Sequence, residues 1–468
     1  MANYVLGITA FFQISVFAVL FYYLILSVFG LFSKVKNSEG PSSGKRFALI
    51  IAAHNEEPVI GKILESMNKL EYPKELYDVF VIADNCTDKT ATVAREHGAA
   101  VFERFNKDKR GKGYALEWMF DKIFKMDIKY DAVGVFDADN LVSPNFLSEM
   151  NSKMMEGYKV VQGYIDSKNP HDSWISESYS ISFWASNRLF QLARATLGLT
   201  SQIGGTGFIV DTSLLKKLGW GATCLTEDLE FTCKLVINGY KVGWAHNAKV
   251  YDEKPLSLKQ SWSQRKRWMQ GFTDVATRFF FKLIRKAVKD RSFVAFDCAM
   301  YVIQPFITLA LGLSVILTLI QNSSGGVNIF TIEQAFSGHI YLDYVWKTLG
   351  VAQFLLTPLV MVMDKKISKK LFGVLAVYSC NVFVFSFIFG KGDKLIEIIA
   401  GQGFFILIFI LAAVAISGKQ SAKVFVWYLL YGVYTITWIP ITILGILDRN
   451  NKEWSHTKHV RQIGIQEV

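Results

Sequence analysis

A chain of 468 residues, half of them apolar and 14% aromatic, with a mean hydropathy of +0.25, is long enough for two or three domains and too apolar for an ordinary soluble enzyme. Its formal charge of +11 is concentrated just after the first apolar stretch (Lys34, Lys36, Lys45, Arg46) and again between Lys259 and Arg291. Because these clusters flank apolar helices, they suit an anionic lipid surface or a phosphate-bearing substrate and speak against nucleic acid. The five cysteines form no CxxC pair, so neither a zinc site nor a disulfide framework is expected.

Val5 to Phe32 carries no charge and is longer than the apolar core of a cleaved leader, which predicts a retained transmembrane helix within residues 1–36. The linker Asn37–Gly44 leads to a polar segment, residues 45–255, in which strands and helices alternate. Arg46–Ala53 reads as a buried strand, followed by a helix from Pro58 to about Leu70. Tyr77–Ala83 is a second strand, with a helix from Asp88 to Glu96; Ala100–Phe105 is a third, with a helix from Gly111 to Lys125. Such alternation predicts an α/β fold, a mostly parallel sheet with helices on both faces.

The segment Asp131–Asn140 (DAVGVFDADN) is then a strand ending at Asp137 and Asp139. Residues two apart in an extended chain point the same way. Paired carboxylates at the carboxyl end of such a strand suit Mg²⁺ or Mn²⁺ holding a diphosphate; a plain Asx-rich turn has the same composition. Other strand ends carry chemistry of the same kind. His54-Asn55-Glu56-Glu57 follows the first strand, and Asp84 follows the second, where Asp88 could simply cap a helix. Lys112 lies between glycines at a helix start, a place suited to a pyrophosphate. Thr226-Glu227-Asp228 opens another helix, either as a capped start or as a carboxylate placed for general base work.

Trp174 to Leu199 is amphipathic and aromatic, expected as a helix at the membrane boundary, against a substrate groove, or as an ordinary domain helix. Residues 256–291 interleave Trp262, Trp268 and Phe279–Phe281 with basic side chains, the pattern of interfacial helices. Apolar runs follow at about 293–320, 346–363, 371–390, 396–416 and 424–447, predicting a transmembrane region over 292–447 and a basic tail, 448–468. Five crossings would put that tail opposite the polar domain, whereas its charge favours the cytoplasm, so one run is expected to be interfacial or re-entrant.

In chain order AHNEE, DNCTD, KGKG, DAD, TED and Gln264-Arg265-Lys266-Arg267-Trp268 resemble the motif series of the membrane-bound family 2 glycosyltransferases with the GT-A fold, to which cellulose, hyaluronan and poly-N-acetylglucosamine synthases belong. The resemblance covers residues 46–270 and the flanking helices. It implies that Ala53, Glu56 and Asp84 contact a uridine, that Lys112 binds the diphosphate with Gln264 and Arg267, and that Asp137 lies against the nucleotide. It further implies that Asp139, with Asp137, holds Mg²⁺ or Mn²⁺, and that Asp228 is the catalytic base. Trp268 and Glu227 would face the acceptor, with Gly205 and Thr206, although Gly204–Phe208 departs from the acceptor loop of cellulose synthases. The implied activity is inverting transfer of a hexose or N-acetylhexosamine from a UDP-sugar to a growing, β-linked polysaccharide, coupled to translocation. The alternatives are single transfer to a lipid and a nucleotide-sugar-sensing transporter. A multi-pass protein of a bacterial plasma membrane, with a cytoplasmic catalytic domain, is expected.

Overall fold

The computed structural model describes residues 2–35, 44–221, 224–323, 328–389, 395–451 and 459–468. Most of the linker expected at Asn37–Gly44 and the middle of the basic tail lie outside the described residues. The first part of the chain runs α1 (Ala2–Phe32), β1 (Phe47–Ala53), α2 (Ile60–Met67), β2 (Tyr77–Asp84), α3 (Thr90–Glu96), β3 (Ala100–Arg104), α4 (Lys112–Lys125) and β4 (Ala132–Asp137). Next come β5 (Leu141–Val142), α5 (Phe146–Met155), β6 (Val160–Ser167), α6 (Trp174–Ala185), α7 (Ala193–Thr196), β7 (Phe208–Asp211), α8 (Thr212–Leu218), α9 (Glu227–Ile237) and β8 (Val242–Asp252). Helices then follow one another: α10 (Leu258–Lys289), α11 (Phe293–Val302), α12 (Gln304–Ser323), α13 (Ile332–Ser337), α14 (Ile340–Met363), α15 (Lys369–Phe389), α16 (Leu395–Ser417), α17 (Lys419–Ile436) and α18 (Trp438–Leu447).

The strands form one mixed sheet in the order β3-β2-β1-β4-β7-β6-β8-β5. The four strands foreseen from the alternation, β3, β2, β1 and β4, are all parallel, whereas β7 runs antiparallel to both β4 and β6. Chain order leaves β1 toward β2 and β3, then returns to its other side with β4. That reversal opens a crevice at the carboxyl ends of β1 and β4, where ligands of open α/β sheets bind. The register aligns those ends, Ala53 with Ala83 and Ala52 with Asp137.

Burial explains why the first strands are legible. Phe47 to Ile51 are wholly inaccessible, each large side chain contributing about 1.5–3 kcal/mol. In α2 the buried residues Ile60, Ile63, Leu64 and Met67 recur at helical spacing. By contrast β7 has four residues and β6 is interrupted by Gln162 and Gly163, so neither shows a clean alternation.

The chain divides into two compact units. One comprises Leu26–Pro170, Leu189–Phe306 and Pro440–Val468 and holds the sheet; the other comprises Met1–Ile25, His171–Arg188 and Ile307–Ile439 and is helical. In the helical unit α6 is not a surface helix: its residues from Ile175 to Ile181 are all buried, because short serines alternate with apolar side chains around it. Among the described residues, four helices are long and apolar enough to cross a membrane: Tyr4–Phe32, Gln304–Gln321, Ile340–Met363 and Lys419–Leu447. The run expected at 293–320 divides at Ile303. Its first part, α11, belongs to the sheet-bearing unit, where Asp297 makes a buried two-bond pair with Arg194 (2.8 and 3.0 Å).

Candidate active site

Strands β1 and β2 both end in an asparagine in the left-handed region, Asn55 at φ 54° and Asn85 at φ 51°. Asparagine tolerates that region because its side chain bonds locally. Asn55 Oδ1 accepts from the Thr87 amide (2.7 Å) and Asn85 Oδ1 from the Asn106 amide (2.9 Å), so each sharp exit is latched to the neighbouring loop. Asp88 is not a simple helix cap: it accepts from the Thr90 and Glu57 amides, tying the second loop to the first. Ala53 is buried at the end of β1, and Glu56 is held through its amide by Thr90 Oγ1 (2.9 Å). The Asp84 carboxylate is buried in an ion pair with Arg104. Asp84 therefore stands at the crevice with one oxygen already engaged.

The KGKG, DAD, GGTG and TED segments converge. Lys112, the first residue of α4, places its ammonium on the Asp137 carboxylate and 2.7 Å from the Gly205 carbonyl. Gly205 has φ +82°, and a Cβ there would lie 3.2 Å from Asp228 Oδ2. Only glycine fits both the backbone angle and the approach. Thr206 Oγ1 accepts the Asp137 amide (3.1 Å) and bonds Asn140 Oδ1, fixing the turn after β4. Asp228 Oδ1 accepts the Leu229 amide (2.8 Å).

The electrostatics of this group are those of acids withdrawn from water. Burial pushes Asp228 up to about 6, against the Lys112 charge that favours its ionised form. Burial, then the Asp228 charge, pushes Glu227 up to about 7. Lys112 itself is held above its ordinary value: burial disfavours its charge, but Asp137, Glu227 and Asp228 together outweigh that.

Asp139 sits on a second, buried layer. Its Oδ2 accepts the Glu253 amide (2.8 Å), and its carbonyl accepts from Lys168 Nζ (2.8 Å), a side chain with no exposure. Burial would raise Asp139, yet the charges of His459 and Lys168 hold it below the usual carboxylate range. The Asn169 side chain donates through Nδ2 to the Lys254 carbonyl (2.9 Å) and accepts at Oδ1 from the Lys254 backbone amide (2.7 Å), clamping the ends of β6 and β8 together. Among the described residues no group of three or more His, Cys, Asp or Glu could close around a metal ion. A divalent ion held by Asp137 and Asp139 would have to take its remaining ligands from phosphate oxygens and water, as Mg²⁺ does. The supporting residues Lys168, Asn169, Glu253 and Lys254 escaped the sequence reading; their signal is the same switch from apolar to charged at a strand end that marked Asp137 and Asp139.

A further residue came from far along the chain. His459 Nδ1 donates to the Glu56 carboxylate at 2.9 Å, and although burial opposes its charge, Asp139, Glu56 and Glu253 push it up to about 9.

Gln264, Arg267 and Trp268 lie in the first turns of α10, which starts at a Ser257 cap. Three residues beyond Trp268, Gly271 packs so closely on Thr226 that a Cβ would lie 2.4 Å from its Oγ1. Thr226 immediately precedes Glu227 and Asp228, so α10 is seated at the opening turn of α9. Arg278 extends that seam, bonding Glu230 at 2.6 Å and Asp274 at 2.8 Å. Gln264 Oε1 is buried without a hydrogen-bond partner among the described residues.

The sheet order, with an acid pair closing β4 and acids opening α9, is an arrangement of the GT-A fold. A mannosyltransferase from Pyrobaculum calidifontis, solved with GDP-Man and Mn²⁺, shares the fold at a TM-score of 0.52 and 18% identity, over 77% of this chain and 97% of that one. Residues 44–271 match the family "Glycosyltransferase like family 2". The chain is 29% identical over 255 residues to a probable glycosyltransferase, YdaM, of Bacillus subtilis (52% of this chain, 60% of that protein). It is 29% identical over 240 residues to a beta-monoglucosyldiacylglycerol synthase of Synechocystis (48% and 47%). It is 26% identical over 243 residues to a poly-beta-1,6-N-acetyl-D-glucosamine synthase of Staphylococcus aureus (50% and 57%). The chain thus spans about half the length of the curated relatives it matches.

Proposed function

We propose that the chain transfers a hexose or N-acetylhexosamine from a UDP-sugar, with inversion, to a growing polysaccharide at the cytoplasmic face of a bacterial plasma membrane. One observation carries this: Lys112, Asp137, Gly205 and Asp228 meet at the carboxyl end of the sheet. A lysine at a helix N-terminus suits a diphosphate, and a carboxylate across the turn from it suits an attacking hydroxyl.

Ala53, Glu56 and Asp84 then bound the uridine, and Lys112, Gln264 and Arg267 the diphosphate. Mg²⁺ or Mn²⁺ held by Asp139 and Asp137 would offset the charge that develops on the leaving group. Trp268, Glu227, Gly205 and Thr206 face the acceptor. Asp228 takes the proton of the acceptor hydroxyl as that oxygen bonds the anomeric carbon, and the bond to the diphosphate oxygen breaks on the opposite face. An α-linked donor so gives a β-linked product. With burial lifting it to about 6, the Asp228 carboxyl is matched to proton transfer near neutrality. Residues 45–255 form the catalytic domain, 256–291 rest at the membrane surface, and crossings by residues 1–36 and within 292–447 flank them.

A second acceptor, a lipid receiving one sugar, is favoured by the beta-monoglucosyldiacylglycerol synthase among the relatives. Purified protein with a panel of radiolabelled UDP-sugars and Mg²⁺ or Mn²⁺ tests both. UDP release with a ladder of products supports the polymer, and a single glycolipid supports the lipid. Absence of release with every donor overturns the assignment.

A further inference from the structure

The loop Gln202–Gly207, which brings Gly205 to Lys112 and Asp228, is tied down residue by residue. Gln191, two residues ahead of α7, accepts the Gln202 amide on Oε1 (2.8 Å) and donates Nε2 to the Gln202 carbonyl (3.0 Å). The Ile203 amide donates to Thr232 Oγ1 (3.2 Å), whose hydroxyl donates to the Asp228 carbonyl (2.9 Å). The Gly204 amide donates to Gln162 Oε1 (2.9 Å), and Gln162 Nε2 donates to the Thr206 carbonyl (2.9 Å). The Ile203 side chain packs into the core with Phe231 and Leu235 of α9. Against this background one side chain is different. Gln202 is only 3% exposed, yet among the described residues neither its Oε1 nor its Nε2 has a hydrogen-bond partner, and no other buried carboxamide there is so. Burying an amide unbonded is costly, and an apolar side chain of similar volume would fill the same space without that penalty.

We infer that Gln202 binds the transferred sugar, its carboxamide bonding two neighbouring ring hydroxyls, one donating to Oε1 and the other accepting from Nε2. This rests on the assignment of the cleft to a sugar nucleotide and names the residue that reads the ring. The place is right. A ring hanging from the diphosphate at Lys112 presents its anomeric carbon beside Asp228, and Gly205 adjoins both: its carbonyl lies 2.7 Å from Lys112 Nζ, and a Cβ on it would lie 3.2 Å from Asp228 Oδ2. Gln202 is three residues from Gly205, at most about 11 Å along the chain. The chemistry is right as well. A carboxamide sets a donor and an acceptor side by side, which matches adjacent hydroxyls, and being neutral it adds no charge to a cleft already holding Asp137, Glu227 and Asp228. Its backbone is fixed on both sides by Gln191, so little freedom remains to be lost when a ligand arrives.

Calorimetric titration of UDP, UDP-glucose, UDP-galactose and UDP-N-acetylglucosamine with Mn²⁺, on the full-length protein in detergent and without acceptor, separates the ring from the nucleotide. The variants are Gln202→Leu and Gln202→Met. UDP affinity should be the same in wild type and both variants. Affinity for the UDP-sugar that wild type binds best should fall about tenfold to thirtyfold in both, the loss of two neutral hydrogen bonds. The melting midpoint should hold or rise, because an apolar side chain replaces an unbonded amide. Equal UDP-sugar affinity in wild type and both variants overturns the inference and leaves the amide to an ordered water; so does a wild type that binds UDP but no UDP-sugar. A lowered midpoint with equal losses for UDP and UDP-sugar assigns Gln202 to the fold alone and overturns it too. If wild type binds none of the four, the donor-site assignment fails, and the inference with it. Should Gln202→Leu not fold, Gln202→Met decides.

Discussion

Asp228 and Glu227 occupy adjacent positions at the mouth of a cleft in which burial, more than any single neighbour, sets their protonation. Two consequences of opposite sign follow. A base works only when ionised, so turnover at saturating donor should fall as pH drops through about 6, losing about tenfold per unit below that. An unshifted aspartate would hold the rate down to about pH 5. Stability runs the other way. A carboxyl raised above its unfolded value of 3.8 contributes stability that is complete below that value and lost as pH rises through about 6. The Asp228→Asn protein should therefore melt above wild type at about pH 7.5, as scanning calorimetry would show. Gly205 is as exacting. Gly205→Ala would place a methyl 3.2 Å from Asp228 Oδ2 at φ +82°, costing about 1–2 kcal/mol in backbone strain and displacing the base. Its kcat should fall at least about tenfold, measurable by UDP release; an unchanged kcat would separate Gly205 from the reaction. Much of this neighbourhood was legible because acids and a lysine follow apolar strands at fixed offsets, as Asp137, Asp139 and Lys112 do. Lys168 and Glu253 carry the same switch from apolar to charged at a strand end, but their pairing with each other and with the tail, like the place of His459, depends on contacts between distant segments that spacing does not encode.

The secondary structure elements hold these residues through two seams. Helix α10 rests on α9 through Gly271 against Thr226, and any side chain there must push the helices apart. Gly271→Ala should destabilise by about 1–3 kcal/mol, the usual cost of overpacking. It should also weaken acceptor use more than donor binding, because it shifts Trp268 relative to Asp228. Thermal melting and separate donor and acceptor KM values check this. The second seam is the buried pair Arg194–Asp297, joining α7 to α11. Asp297→Ala strands a buried guanidinium and should cost about 3–5 kcal/mol, visible as a lowered midpoint; a change below 1 kcal/mol, on the order of a surface pair, would contradict it. The same pair explains why the apolar run expected at 293–320 breaks. Hydrophobicity alone joins α11 to α12, but a carboxylate at Asp297 with a partner on the catalytic unit draws the first ten residues out of the series.

At the scale of the molecule, the tail reconciles two expectations that conflicted in the sequence. Five crossings would have separated residues 448–468 from the polar domain, while their positive charge favoured the same side. His459, Val460 and Arg461 bond Glu56 and Glu253, so the tail shares the compartment of the cleft. If the chain between α11 and the tail crosses a membrane as proposed, these contacts require an even number of crossings, one more or one fewer than the three candidate spans found there among the described residues. A tag placed after Val468 should resist protease added to right-side-out cells and be cleaved in inverted vesicles. Cleavage from outside would contradict both the tail contact and the parity. Parallel strands β1 to β4 and the long apolar helices were readable from alternation and run length, because each depends on local pattern. The antiparallel insertion of β7, the division into units and the return of the tail depend on contacts between distant segments.

Asp228→Asn bears most directly on the central claim that one cleft binds a sugar nucleotide and activates its acceptor. Titrated with UDP and Mn²⁺ and then assayed with a radiolabelled UDP-sugar that the wild type uses, this variant should bind with wild-type affinity while kcat falls by about 10²–10⁴, the range for loss of a general base. Transfer at the wild-type rate would contradict the account.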